Sequence, residues 1–237
     1  RWFDFYDILE IVPFDRREKR TFKQTGLQLP KGTNICEKAL TVLEPELKNK
    51  TFGIHLHKQI PAGAGLGGGS ADAAFVLKAF NQIYNLGLSA QDLKYKAGLL
   101  GADCPFFIDN TSQFAEDEGR TLRPFPMPFL NGKWLVLVLP NIHMSTQEAY
   151  KNIVLEPQKN WSITGVNDLQ QLGNNFEKYA FETHPKLQEI KTYLTTAGSF
   201  FSSMSGSGSS IYGLFDANPK IENVLGFPTR TMQLTIL

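Results

Sequence analysis

Apolar and polar residues alternate along the segment that begins at Thr51, and this period of two predicts a β-strand with two different faces. One predicted face carries Phe52, Ile54, Leu56 and Ile60, and the other carries His55, His57 and Gln59. Looser alternation across 1–14 predicts a strand, a turn and a second strand, and the apolar run 133–140 predicts a buried strand. Strands are therefore expected in both halves of the chain.

Elsewhere the apolar residues recur every three or four positions, which predicts helices. The first expected helix starts near Thr33 or Asn34, the second extends from Ser70 to a cap at Gly87, and the third begins at Ser89. Three more helices are expected at 146–153, about 168–182 and about 185–197. A turn followed by a strand is expected at 102–108, and a hairpin at 112–125. Because helices and strands mix without a regular β-α-β order, the pattern predicts an α+β fold rather than a doubly wound sheet.

Prolines cluster between 124 and 132, and such clusters are typical of a boundary between two domains. We therefore expect an N-terminal domain over 1–132 and a C-terminal domain over 133–237.

Composition excludes few classes of protein. The 237 residues are 42% hydrophobic and 20% charged, with a formal net charge of +1, which is typical of a soluble protein and gives no indication of a nucleic-acid or membrane-surface partner. The two cysteines, Cys36 and Cys104, form no CxxC motif and are expected to be reduced thiols in a cytoplasmic protein. We find neither an apolar run of about 18 residues nor a signal peptide.

A glycine-rich stretch, PAGAGLGGGSADAAF, occupies 61–75 between a predicted strand and a predicted helix. Glycine lowers the stability of a regular element by roughly 0.5–1 kcal/mol relative to alanine, so a plain flexible turn is a poor explanation for so many glycines. Glycines before a helix let backbone N–H groups approach an anion, and the helix N-terminus adds partial positive charge. The stretch therefore predicts a phosphate-binding loop.

Three phosphate-binding motifs compete for this loop. Residues 63–68 satisfy the GxGxxG pattern of dinucleotide-binding proteins, but a second predicted helix stands where that fold needs a strand ending in an acidic residue. Residues 63–70 nearly form a Walker A motif, but Gly69 occupies the position of its lysine. The third pattern, P-x-x-x-G-L-G-G/S-S-x-A, fits from Pro61 to Ala74.

The third pattern resembles the ATP-binding motif of the GHMP kinase family, which includes galactokinases, homoserine kinases and mevalonate kinases. The resemblance implies that ATP and Mg²⁺ bind here, with Asn34 near the adenine and the Ser70 hydroxyl on the metal. The residues that it assigns to ATP are Asn34, Pro61, Gly63, Gly65, Leu66, Gly67, Gly68, Gly69 and Ser70. Simple N-cap roles remain open for Asn34 and Ser70.

A second segment, LGADCPFF at 100–107, resembles another motif of the same family. The matching aspartate of the family takes the proton from the attacking hydroxyl, which assigns Asp103 as the general base. A turn or capping role for Asp103 remains open, and the neighbouring Cys104 is expected to be a small buried thiol.

A third segment, SMSGSGSSIYGLF at 203–215, resembles the family's second glycine-rich turn, with an ordinary Ser/Gly loop as the alternative. The resemblance assigns the acceptor site to Thr146, Tyr150, Gly206, Ser207 and Gly208. Tyr150 is expected to offer an aromatic face to a cytosine base, and the alternative is a tyrosine of the core or the helix surface.

The form GLGGGSADAA is most similar to family members that phosphorylate the 2-hydroxyl of a cytidine-diphosphate-linked methylerythritol in the non-mevalonate isoprenoid pathway. The implied fold pairs an N-terminal domain like domain 2 of ribosomal protein S5 with a ferredoxin-like C-terminal domain, and ATP and the acceptor alcohol would meet in the cleft between them. Two alternatives remain, namely another GHMP kinase such as homoserine kinase and a catalytically inactive nucleotide-binding member.

Two parts of the family pattern do not occur in the chain as it begins at Arg1. One is an A-K-x-N segment, whose lysine supports catalysis, and the other is a G-Y-H-E-L-like segment, which helps to hold the cytosine. We expect negligible kinase activity from the 237 residues alone and a complete site where both segments are present. Asp72 is expected to point away from bound phosphates. Asp117 stands where the family favours glycine, so the sequence does not predict the turn geometry of its hairpin.

Overall fold

The computed structural model describes residues 5–14, 19–29, 32, 34–119, 121–155 and 162–235. Its contacts divide the chain into two compact units. The N-terminal unit comprises the described residues of Asp4–Ala62 and Gly67–Pro126, and the C-terminal unit comprises those of Gly63–Leu66 and Met127–Leu237. The domain division predicted after residue 132 stays a prediction.

The N-terminal unit combines a mixed three-stranded sheet, a helical layer and a separate hairpin. Its elements are β1 (Ile8–Pro13), β2 (Thr21–Gly26), α1 (Ile35–Leu43), β3 (Phe52–Lys58), α2 (Gly68–Tyr84), α3 (Ala90–Gly98), α4 (Phe106–Asp109), β4 (Gln113–Glu116) and β5 (Thr121–Pro124). The sheet order is β1-β3-β2, with β3 antiparallel to β1 and parallel to β2. The strands β4 and β5 form the predicted hairpin.

The central strand β3 has the predicted alternation, and its inward side chains pack against α1 and α2. Phe52 lies edge-on to Phe80 of α2, with the ring centroids 4.7 Å apart, and both rings are almost completely buried. Full burial of such side chains contributes about 1.5–3 kcal/mol each. This packing joins the start of β3 to the last turn of α2 and holds the helix on the sheet.

The C-terminal unit is built on a five-stranded antiparallel sheet. Its elements are β6 (Trp134–Val138), α5 (Thr146–Asn152), α6 (Glu177–Thr183), α7 (Pro185–Thr196), β7 (Phe201–Met204), β8 (Ile211–Phe215), β9 (Asn223–Val224) and β10 (Phe227–Gln233). The strand order is β7-β8-β6-β10-β9. Helix α7 buries Leu187, Ile190 and Leu194, a helical spacing that turns one face toward the core. The mixture of helices and strands confirms the predicted α+β class.

Several local predictions are wrong, and each has a physical reason. The expected strand at 102–108 is a turn followed by the short helix α4, because Pro105 is compatible with a helix start and overrides the strand preference of the phenylalanines. The helix expected at about 168–182 is a 3₁₀ turn at Val166–Gln171 and then α6, with Gly173 in the interruption between them.

The ends and the number of some other helices and strands also differ from the prediction. The left-handed C-cap of α2 is Asn85 rather than Gly87. The described part of 1–14 holds one strand, β1, rather than two, and β2 had no clear apolar pattern. A charged turn or strand edge is also predicted at 15–20, and residues 15–18 of that segment lie outside the described residues. Helix α1 begins at Ile35 with Asn34 as its N-cap, which confirms the predicted start near Thr33 or Asn34.

The turn of the β4–β5 hairpin is preserved although Asp117 stands where the family favours glycine. Asp117 adopts a left-handed backbone with φ of 51°, a conformation that Asp tolerates better than most residues. Its carboxylate accepts a hydrogen bond of 2.9 Å from the Thr121 hydroxyl, which helps to hold the turn. Separately, no helix in the described part of the chain is long and apolar enough to cross a membrane.

Candidate functional site

The first half of the glycine-rich loop packs against the second glycine-rich turn inside the C-terminal unit. The Ser205 hydroxyl donates to the carbonyl oxygen of Gly65 at 2.8 Å, and the backbone N–H of Ser210 donates to the carbonyl oxygen of Ala64 at 3.1 Å. Gly65 has φ of +74°, and a Cβ there would lie 1.9 Å from the carbonyl oxygen of Ser205. Only glycine fits this position, so the two predicted motifs form one interlocked structure.

Two more glycines of this unit are required by close neighbours. A Cβ on Gly63, which has φ of +71°, would lie 2.9 Å from Nδ1 of His143. A Cβ on Gly208, which has φ of +90°, would lie 2.8 Å from the sulfur of Met204. The sequence assigns no role to His143, and the fold reveals that it borders the loop.

The second half of the loop lies in the N-terminal unit and forms the start of α2. Gly67 is the N-cap in a left-handed conformation with φ of 65°, and no side chain caps the helix. The first hydrogen bond of the helix runs from the N–H of Ala71 to the carbonyl oxygen of Gly67. Among the described residues, the N–H groups of Gly68, Gly69 and Ser70 therefore find no acceptor. Three free donors at a helix N-terminus are an arrangement that suits an anion.

Ser70 is the third residue of α2, so the alternative that it caps the helix is wrong. Ser70 lies beside the Cys104 thiol, which is buried and free, as predicted. Burial raises the pKa of Cys104, and the neighbouring Ser70 hydroxyl opposes that shift. The contact places the turn that contains Asp103 beside the first turn of α2.

Asp103 lies in the turn before α4 and is exposed to solvent. Its carboxylate has no hydrogen bond or ion pair with another residue of the described ranges. Helix α4 has no side-chain cap, so Asp103 does not act as one. An exposed carboxylate without an internal partner is free to accept a proton from a bound ligand.

Asn34 is the N-cap of α1, which confirms the capping role predicted for it. Its Oδ1 accepts a hydrogen bond of 2.9 Å from the N–H of Cys36, and Glu37 completes the capping box. Its Nδ2 is buried and has no partner among the described residues. The cap uses only the oxygen of this side chain, which leaves the amide nitrogen available as a donor.

The predicted acceptor residues are gathered near the second glycine-rich turn. The hydroxyl oxygens of Thr146, at the start of α5, and Ser207 lie 3.5 Å apart. Tyr150, one helical turn further along α5, is 64% exposed. Its ring rests edge-on against Phe176, with the centroids 5.0 Å apart and the planes at 78°. Phe176 therefore holds the ring of Tyr150 while most of the tyrosine stays exposed.

Asn174, a residue that the sequence did not single out, holds the second glycine-rich turn by hydrogen bonds. Its Nδ2 donates to the carbonyl oxygens of Met204 and Gly206, each at 2.8 Å. Its Oδ1 accepts from the N–H of Phe176 at 2.9 Å. Asn174 lies too far along the chain from Met204 and Gly206 for a local sequence motif to reveal these contacts.

We expect Asn174→Ala to destabilise this turn more than the rest of the protein. Loss of two hydrogen bonds that leaves carbonyl oxygens unsatisfied costs about 1–3 kcal/mol. Urea unfolding should detect that loss, and amide hydrogen exchange at 203–208 should accelerate. Asn218→Ala, at an exposed turn, is the control; equal exchange at 203–208 in both variants would contradict the role of Asn174.

A buried ion-pair cluster lies behind the start of α2. Nζ of Lys58, the last residue of β3, donates to Oδ2 of Asp72 at 2.8 Å and also to Asp7. Burial raises the pKa of Asp72 to about 6, and the charge of Lys58 opposes the rise. Asp72 thus turns inward, and the alternation of β3 already placed Lys58 in phase with the buried Phe52, a signal that the sequence analysis did not use.

Comparisons with known families agree with these features. Residues 34–109 match the model described as GHMP kinases N terminal domain, and residues 161–229 match the model described as GHMP kinases C terminal. Together they cover the start of α1 through α4 and most of the C-terminal unit.

Relatives with curated names match almost the whole chain. The 4-diphosphocytidyl-2-C-methyl-D-erythritol kinase of Bacteroides fragilis is 41% identical, and the alignment covers 91% of this chain and 81% of the relative. The protein of the same name from Chlorobium limicola is 35% identical, with 94% of this chain and 80% of the relative covered.

Solved structures give the same result. A crystal structure of 4-(cytidine 5'-diphospho)-2C-methyl-D-erythritol kinase superposes with a TM-score of 0.73 at 30% identity, covering 90% of this chain and 78% of that one. Homoserine kinase from Cytophaga hutchinsonii superposes with a TM-score of 0.68 at 18% identity, covering 97% and 86%, and shares the fold. The resemblance predicted from the three motifs is confirmed: the chain belongs to the GHMP kinase family.

Proposed function

We propose that this protein transfers the terminal phosphoryl group of ATP to the 2-hydroxyl of 4-diphosphocytidyl-2-C-methyl-D-erythritol, a step in non-mevalonate isoprenoid precursor synthesis. The observation that carries the proposal is the start of α2, where three backbone N–H groups without acceptors among the described residues follow the glycine loop. The names of the relatives supply the acceptor, at identities of 35–41% over about nine tenths of the chain.

ATP binds with its phosphates at the start of α2. The free N–H groups of Gly68, Gly69 and Ser70 and the partial positive charge of the helix end stabilise the phosphate oxygens. The unpartnered amide nitrogen of Asn34 donates to the adenine. A Walker-type lysine is not needed in the loop, because the backbone already supplies the donors.

Ser70 supplies an oxygen ligand for Mg²⁺ that accompanies ATP. The described residues contain no group of three or more His, Cys, Asp or Glu side chains that could hold a metal. Mg²⁺ usually takes one or two protein oxygens and completes its shell with phosphates and water, so a lone hydroxyl fits its chemistry. When bound, the metal neutralises charge on the phosphates.

Asp103 accepts the proton of the acceptor hydroxyl while the hydroxyl oxygen attacks the terminal phosphorus. The new P–O bond forms as the bond to the bridging oxygen of ADP breaks, and the proton remains on the carboxylate until it is released to solvent. The exposed carboxylate of Asp103 has no internal partner in the described residues to hold it in another role.

Tyr150 stacks on the cytosine of the acceptor, while Thr146 and the turn of Gly206, Ser207 and Gly208 hold its polar part. We expect Tyr150→Ala to raise KM for the acceptor by about 5–100-fold, since aromatic stacking contributes about 1–3 kcal/mol per base. Tyr150→Phe keeps the ring and should retain KM within about twofold. Steady-state kinetics measure both; equal effects of the two variants would contradict stacking.

The proposal is tested by ADP release from protein in which the A-K-x-N and G-Y-H-E-L-like segments are present, called the full-length protein below. Three acceptor conditions are compared: the cytidyl-methylerythritol substrate, homoserine and no acceptor. We expect rapid release with the first alone. Release with homoserine would support a different GHMP kinase, and ATP binding without release would support an inactive nucleotide-binding member. A cytoplasmic location and the absence of nucleic-acid partners stay predictions.

A further inference from the structure

Three buried charged residues connect the two ends of the glycine loop, and we call Asp7, Lys58 and Asp72 the loop clamp. All three belong to the N-terminal unit, and their side chains are exposed by only 5%, 2% and 9%. Lys58 ends the strand before the loop, and Asp72 lies in the second turn of the helix after it. The ion pair between them therefore joins the entrance of the loop to its exit.

Asp7 holds the entrance by a second set of contacts. Its Oδ1 accepts hydrogen bonds from the N–H groups of Gln59 at 2.7 Å and Ile60 at 2.9 Å, the two residues before Pro61. Its other oxygen binds the Lys58 ammonium. The path from β3 into the loop is thus tied to Asp7, and through Lys58 to α2.

Stability alone is a poor explanation for this arrangement. A buried ion pair often contributes no more than well-packed apolar side chains of similar volume. The clamp also has two carboxylates for one ammonium, and burial disfavours the charge on Asp72. Both carboxylates hold the ammonium of Lys58, and its side chain is almost completely buried, so we assign it no direct contact with phosphate.

We propose that the loop clamp is a positioning device that holds the ends of the glycine loop so that the free N–H groups of Gly68, Gly69 and Ser70 are already arranged for phosphate before ATP arrives. The inference rests on the proposed function, because it assigns the clamp to ATP binding at that site. A preorganised site binds more tightly because less ordering remains to be done on binding. Loss of the clamp should therefore weaken ATP binding and leave the chemical step largely intact.

The test is the paired substitution Lys58→Met/Asp72→Leu, which removes the clamp but keeps the net charge and the apolar volume near the helix start. We expect KM and Kd for ATP to rise about tenfold, kcat to change by less than about twofold, and KM for the acceptor to stay constant. Asp72→Asn keeps an oxygen acceptor for Lys58 and should retain KM for ATP within about threefold.

The matched control breaks a different ion pair of the same unit, the half-buried pair of Lys96 and Glu46 at 2.7 Å. The double substitution Lys96→Met/Glu46→Leu should leave KM for ATP unchanged. If the clamp variant does not fold, Asp7→Ala replaces it; that change leaves the Lys58–Asp72 pair balanced and should also raise KM for ATP. A folded clamp variant with the KM of wild type would overturn the proposal.

Hydrogen exchange without ATP separates this inference from the proposed function. The hydrogen-bonded amides of Gln59, Ile60 and Ala71 should exchange faster in the clamp variant than in wild type, while the core of β3 keeps its rate. If wild type neither binds nor turns over ATP, the proposed function fails whatever the exchange result. If wild type is active and the amides exchange equally in both proteins, the clamp alone is refuted.

Discussion

Asp103→Asn is expected to lower kcat by about 10²–10⁴-fold while the affinity for ATP stays within about threefold. The change keeps the shape of an exposed side chain and removes only its ability to accept a proton. Because the carboxylate has no partner among the described residues, the substitution should leave the free energy of unfolding unchanged. Single-turnover kinetics and calorimetric ATP titration on the full-length protein measure the two quantities separately.

The control for this experiment is Asp109→Asn, six residues further on at the end of α4. Asp109 forms an ion pair of 2.6 Å with Lys94 and takes no part in the proposed chemistry. Its substitution should lower stability slightly and leave kcat within about twofold. Turnover of Asp103→Asn equal to that of wild type would refute the assignment of the general base.

Gly65→Ala is expected to damage both the fold of the C-terminal unit and ATP binding. A left-handed backbone costs alanine about 1–2 kcal/mol, and overlap with a packed neighbour costs about 1–3 kcal/mol. The new Cβ would lie 1.9 Å from the carbonyl oxygen of Ser205, which belongs to backbone and has little freedom to move. We expect the free energy of unfolding to fall by about 2–4 kcal/mol and ATP affinity to fall at least about tenfold.

Gly98→Ala makes the same chemical change where space is open. Gly98 is the last residue of α3, is exposed, and a Cβ there would meet only Pro105 at 3.9 Å. Alanine should stabilise this helix by up to about 0.5–1 kcal/mol. Urea unfolding of both variants decides the matter: a Gly65→Ala protein as stable as wild type would show that the two glycine-rich turns do not interlock as described.

The features that the sequence predicted well are those whose cause is local. Five glycines between positions 63 and 69 indicate directly that side chains are excluded from this loop and helix start, and the alternation of β3 follows from one buried face. The assignment of Asp103 as the general base also comes from a short motif that surrounds it, and it stays a prediction. In each case a short stretch contains the whole physical reason for the feature.

The features that sequence reasoning missed depend on partners far along the chain. Asp7 is 51 residues from Lys58, and Ser205 is 140 residues from Gly65. A lysine in phase with buried residues was the one available hint of the clamp. Where local signals conflict, as in the Pro-Phe-Phe segment at the start of α4, Pro105 favours the helix start over the strand preference of the phenylalanines.

The transfer of phosphate itself is tested most directly by phosphorus NMR of the product formed by full-length protein from ATP and 4-diphosphocytidyl-2-C-methyl-D-erythritol. We predict one new phosphomonoester resonance, coupled to the carbon that carries the 2-hydroxyl, in equal amount to the ADP released. A product phosphorylated at another hydroxyl, or ADP release without a new phosphomonoester, would contradict the proposed reaction.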